Sequence, residues 1–167
     1  MAEKARILLR YASEVKFIDP HFAGEKKHTD FIIECVKTLR TWRKATRLPL
    51  EIHFHFQPSA NEDLESRKSR SLPVFDTIFH KTHDALSKQE MELSLFQWSM
   101  VDAGDRFHER TVVTDCGCIE LGGGLDSGNQ NEKTSVKLMS SSVREELRQA
   151  YKVESKVYDL LHHSVVS

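Results

Sequence analysis

No stretch of this 167-residue chain approaches the ~20 consecutive apolar residues that a membrane-crossing helix needs, which argues against a transmembrane protein. The opening segment, Met1 to Arg10, lacks the apolar centre and small-residue cleavage site of a secretory leader, so a cytoplasmic protein is expected. Cysteine is scarce and odd in number. Cys35, Cys116 and Cys118 cannot build a disulfide framework and are expected to be free thiols. The one-residue gap between Cys116 and Cys118 is the spacing of neither a redox pair nor a zinc knuckle, and no second pair completes a metal site. No metal and no cofactor are therefore expected. An excess of charge is lacking too: the formal net charge is −1, so the chain as a whole has no general attraction for nucleic acid or acidic membranes, and any such partner must be met locally.

What is present is ordinary globular composition, 39% hydrophobic and 29% charged, in a length that suits one core better than two small ones. The pattern along the chain predicts a short helix over Lys4 to Tyr11 and a strand over Val15 to Ile18, stopped by Asp19-Pro20. A helix over Lys27 to Ala45 follows, with Phe31, Ile32, Cys35, Val36, Leu39 and Trp42 recurring on one face. Lys37, Arg40, Arg43, Lys44 and Arg47 lie at helical spacing and read as its solvated side. Leu50 to Phe56 alternates as a strand should. Pro58 to Ser71, rich in Ser, Glu and Arg, reads as a loop, Leu72 to Leu86 as a helix and Glu92 to Trp98 as a strand. Strands are then expected over Phe107 to Thr114, Cys118 to Leu121 and Thr134 to Met139. A last helix is expected from Val143 to about Leu161, opened by a capping box of Ser142 and Glu145. Helices alternating with strands early and a hairpin later predict one α/β domain with a mixed sheet flanked by helices.

The segment with chemistry in it is FHERTVVTDCGCIELGGGLD, Phe107 to Asp126. On a strand, His108 and Arg110 share a face, so imidazole and guanidinium converge on one small group. A phosphate suits them: Arg offers a planar fork of donors, and imidazole serves as nucleophile or general acid. Asp115 ends the strand, and Gly122, Gly123 and Gly124 allow close approach of backbone to a ligand. Asp19 and His21 lie just past the end of the first strand, where open α/β sheets place ligands, and are read as further phosphate-site residues with Asp126.

The register resembles the phospholipase D superfamily motif, in which His-x-Lys is followed after four residues by Asp and after six more by a glycine turn and Asn. Here the positions are His108, Arg110, Asp115, Gly122, Gly123 and Asp126, with Arg110 replacing the lysine and Asp126 the asparagine. Those two replacements are similar to the phospholipase D-like C-terminal domain of MIT-domain-containing proteins, as is Phe17-Ile-Asp-Pro-His-Phe22 upstream. The resemblance implies a phospholipase D-like domain across the chain. It also implies a homodimer, since two motif copies face each other in one site and this chain holds one. It leaves two activities open. In one, His108 attacks a phosphodiester, nucleic acid being favoured, to form a phosphohistidine while Arg110 stabilises the charge. In the other, the site only binds phosphate, with phosphoinositide headgroups as the ligand its MIT-associated relatives suggest, or serves as an interaction module.

The remaining histidines carry no motif. His53 and His55 share a strand face without a third ligand and are read as buried or edge residues; His80, His83, His162 and His163 are read as surface residues. Trp42 and Trp98 are read as core or interface aromatics.

Overall fold

The computed structural model describes residues 2–42, 49–59, 61–86, 93–100, 110–122 and 135–166. The expectations for His108, Gly123, Gly124, Asp126, Arg43, Lys44 and Arg47 lie outside the described residues, as does the side chain of Trp42.

The chain is an α/β domain. Its elements in order are α1 (Ala2–Tyr11), β1 (Val15–Ile18), α2 (Lys26–Trp42), β2 (Leu50–His55), α3 (Leu64–Leu86), β3 (Leu93–Met100), β4 (Thr111–Thr114), β5 (Cys118–Leu121), β6 (Val136–Leu138), α4 (Ser141–Ala150) and β7 (Tyr158–Val166). The seven strands form one sheet in the order β6-β5-β4-β1-β2-β3-β7. β1, β2 and β3 run parallel, linked through α2 and α3, and every other pairing is antiparallel, so the sheet is mixed as expected.

Alternation along the central strands feeds two cores. Val15 and Phe17 of β1 and Ile52 and Phe54 of β2 pack with Leu9, Phe31, Ile32, Cys35, Phe75 and Ile78 beneath α1, α2 and α3. The opposite face carries Ile18, Phe96, Trp98, Val113 and Cys118 against Leu147 and Ala150 of α4, with Tyr151 and Tyr158 beside them. The expected apolar face of α2 is the buried one: Phe31, Ile32, Cys35, Val36 and Leu39 are all nearly or fully inaccessible. Among the described residues, no helix is long and apolar enough to cross a membrane.

Three expectations are corrected. The segment read as a loop to Ser71 is helical from Leu64, because the Asp63 carboxylate accepts from the Ser66 N–H at 2.8 Å and opens α3 there. The last helix stops at Ala150 instead of reaching Leu161; residues 151–157 turn, and β7 begins at Tyr158, paired antiparallel with β3 over eight registered positions. Its cap is also displaced. The Ser140 hydroxyl, not Ser142, accepts from the Val143 N–H at 3.3 Å, while Glu145 turns to Gln149 and Arg148.

Candidate functional site

β1 sits between β2 and β4, and its last registered partner in β4 is Thr111, opposite Ile18. One step further along both chains, Asp19 and Arg110 meet across the end of the sheet. The Asp19 Oδ1 stands 3.3 Å from Arg110 Nε, and the same oxygen accepts from the His21 N–H at 2.9 Å. The Asp19 N–H donates to the His53 carbonyl, which ties the start of the β1–α2 loop to β2, and the His55 N–H reaches the Pro20 carbonyl. Asp19-Pro20 thus turns the chain out of the sheet while keeping it bonded to the neighbouring strand.

Burial divides this group. The Asp19 side chain is 1% exposed and the Arg110 side chain 33%, with His21 exposed. Arg110 Nε is itself inaccessible and makes an ion contact with Asp19 without the alignment of a full hydrogen bond. Gly122 stands close by, because the Leu121 N–H bonds the Arg110 carbonyl at 2.7 Å. The Gly122 N–H is taken by the Ser135 carbonyl, and a Cβ at Gly122 would lie 2.3 Å from Ser135 Oγ, so a side chain there would require the Ser135 hydroxyl to turn away.

Asp115 is placed elsewhere. It lies at the far end of β4, roughly 15 Å from Arg110 by strand rise, and both its oxygens are occupied by Ser13, at 2.8 Å from the backbone N–H and 2.5 Å from the hydroxyl. Burial tends to raise its carboxyl, but the Ser13 bonds outweigh this and hold it below the usual aspartate range. Its carbonyl accepts from Arg144 of α4. The structure therefore brings Asp19, Arg110 and the His21 backbone N–H together, with Gly122 following the neighbouring strand, and leaves Asp115 as a tie between the β4–β5 turn and the entry to β1.

Two histidines, His53 buried and His55 half-buried, occupy the opposite face of β2. His53 accepts from Trp98 Nε1–H at its Nδ1 (3.0 Å) and donates from Nε2 to Glu51 (2.9 Å), which also takes Lys16. Indole nitrogen can only donate, so this geometry assigns the neutral Nε2–H tautomer. Burial lowers the His53 pKa to about 4. Burial also opposes ionisation of Glu51, but the bonds from His53 and Lys16 outweigh it and hold that carboxyl at about 2. His55 pairs with the Tyr151 hydroxyl at 2.8 Å; burial, with the nearby His53 and His21, brings its pKa to about 4. That pair joins residues 96 apart, and no local sequence pattern announces it.

Of the histidines read as surface residues, His80 and His163 are exposed and His83 is half-exposed, while His162 is half-buried and bonded. His162 bonds Ser71 Oγ and the Lys68 carbonyl, and His163 stacks on Phe96 at 4.3 Å between centroids. The described cysteines are free, and burial pushes the Cys35 and Cys118 thiols up, the latter to about 11. Among the described residues, no group of three or more His, Cys, Asp or Glu side chains is gathered in metal-binding fashion. An open hollow between the end of α4 and the start of β7, floored by Leu147, Ala150, Val157 and Tyr158, contains none of the expected site residues. No known protein-family model matches the chain, and no curated protein matches it.

Proposed function

We propose that the chain is a phospholipase D-like domain that binds a phosphodiester at the end of β1 and hydrolyses it, with a nucleic-acid strand as the favoured substrate. The observation that supports this reading is the Arg110 guanidinium, one-third exposed at the sheet end with only its Nε directed at Asp19 among the described residues. Its two outer nitrogens are the ones that grip phosphate oxygens in a fork. His108 is the nucleophile in this proposal. It attacks phosphorus, the ester oxygen leaves with a proton from His108 of a second protomer, and water then cleaves the phosphohistidine. A homodimer follows from the need for the second imidazole.

Hydrolysis of bis(p-nitrophenyl) phosphate or single-stranded DNA without added metal is expected for the wild type and is expected to vanish in His108→Ala. A strict monomer in light scattering at micromolar concentration would remove the composite site. A second reading, a non-catalytic phosphate-binding module, draws on the Arg110–Asp19 contact, since a neighbouring carboxylate offsets part of the charge available to a reacting phosphoryl group. A wild type inert on all of these esters that still binds phosphoinositide vesicles would establish it.

A further inference from the structure

We infer that Asp19 is a positioning residue that braces Arg110 for phosphate, and not itself a phosphate-binding group. The inference rests on the reading of Arg110 as the phosphate-binding cation. Three observations carry it. The Asp19 side chain is 1% exposed, so its oxygens are withheld from any ligand in solvent, and a carboxylate offers an anion only repulsion. Its Oδ1 faces Arg110 Nε at 3.3 Å, while the outer nitrogens of the guanidinium have no partner among the described residues. The carboxylate is in turn immobilised. Oδ1 takes the His21 N–H, the Asp19 N–H is bonded into β2, and the Phe22 N–H returns to the Asp19 carbonyl.

A long, flexible side chain loses rotamer freedom when it grips a ligand, and a partner that fixes its inner nitrogen removes much of that cost beforehand. The brace opposes a second effect of Asp19. Its negative charge, close to the guanidinium, weakens attraction for any anion through simple Coulomb interaction. The two effects predict opposite signs for Asp19→Asn, an isosteric change that keeps an oxygen for the His21 N–H and removes the charge. If bracing dominates, the variant binds phosphate more weakly, by about tenfold, through loss of the ion contact that holds Nε.

The experiment is a titration of inorganic phosphate against the whole chain, followed by NMR, for wild type, Asp19→Asn, Arg110→Ala and the double variant. Expected are much weaker but still measurable binding in Arg110→Ala, about tenfold weakening in Asp19→Asn, and no added weakening by Asp19→Asn in the Arg110→Ala background. A general structural role for Asp19 would not produce that dependence on Arg110. Phosphate binding that Arg110→Ala weakens but Asp19→Asn leaves unchanged or tightens overturns the inference alone. A wild type that binds no phosphate overturns the reading of Arg110 and the inference with it. Should Asp19→Asn not fold, the wild type carries the test. Its Arg110 Nε–H resonance, assigned by its absence in Arg110→Lys, is expected to be protected from exchange before and throughout the titration. Exchange at the rate of a free arginine side chain overturns the brace.

Discussion

The His53 ring is held at both nitrogens, and the chemistry of its partners decides its charge. Trp98 can only donate, so Nδ1 must remain an acceptor, and the ring gains a proton only by giving up that bond. Burial acts in the same direction. Phe96 and Trp98 stack against the ring at 4.7 and 5.9 Å between centroids, which leaves no room for the ring to turn elsewhere. Trp98→Phe removes the donor and some volume, and is expected to cost about 2–4 kcal/mol at neutral pH in urea unfolding. Because Nδ1 then accepts a proton more readily, the gap between variant and wild type should narrow at pH 5. A gap that stays constant between the two pH values would contradict the assigned tautomer.

At the scale of elements, the decisive contact is between α3 and the strands β3 and β7. Arg67, in the first turn of α3, donates from Nη1 to Ser99 Oγ, the Met100 carbonyl and Asp159. The Arg67 side chain is 11% exposed and the Asp159 side chain 25%, so the pair works in a partly dry setting where its removal is felt. His162 bonds the same helix at Ser71 and Lys68, two further points that fasten β7 beneath α3. Arg67→Ala is expected to cost about 3 kcal/mol, as for a broken buried pair, and to accelerate hydrogen exchange at β7 amides more than at β1 amides. Equal acceleration in both strands would show that the clamp is not local to β7. These contacts also explain why β7 is hard to read in advance. Tyr158 to Val166 has apolar residues at intervals compatible with either period, and what selects the strand is the exposed row of backbone groups along β3 that it completes.

For the molecule as a whole, the His53 and His55 imidazoles predict how stability varies with pH. Each has a folded pKa of about 4 against an ordinary value of 6.5, so the folded state favours the neutral ring. That contribution is complete above the unfolded value and is lost as pH falls from about 6.5 toward 4, because the unfolded chain binds protons that the folded one refuses. For His53 the loss between pH 7 and pH 5 is on the order of 2 kcal/mol, with His55 adding in the same direction. Glu51, held at about 2, adds a further loss below about pH 4.5. Denaturant midpoints measured from pH 8 to pH 4 are expected to fall steadily below pH 6.5. A flat profile from pH 7 to pH 5 would show that neither ring is buried neutral.

Much of this architecture is legible without coordinates. Val15 to Ile18, Leu50 to His55 and the apolar face of α2 have the periodicity of their elements, since short-range alternation and burial impose the same pattern on any chain that folds this way. The pairing of Asp19 with Arg110 is not of that kind. The two are 91 positions apart, and they meet because β4 lies antiparallel beside β1, a choice made by packing across the whole sheet. The same antiparallel register sends Asp115 to the opposite end, although in sequence it stands only five residues from Arg110. Composition and local spacing therefore determined an α/β domain and singled out the segment from Phe107 to Asp126 as the one holding the candidate site residues. Tertiary structure alone decided which of those residues face one another, because adjacency across strands depends on long-range register that no local pattern encodes.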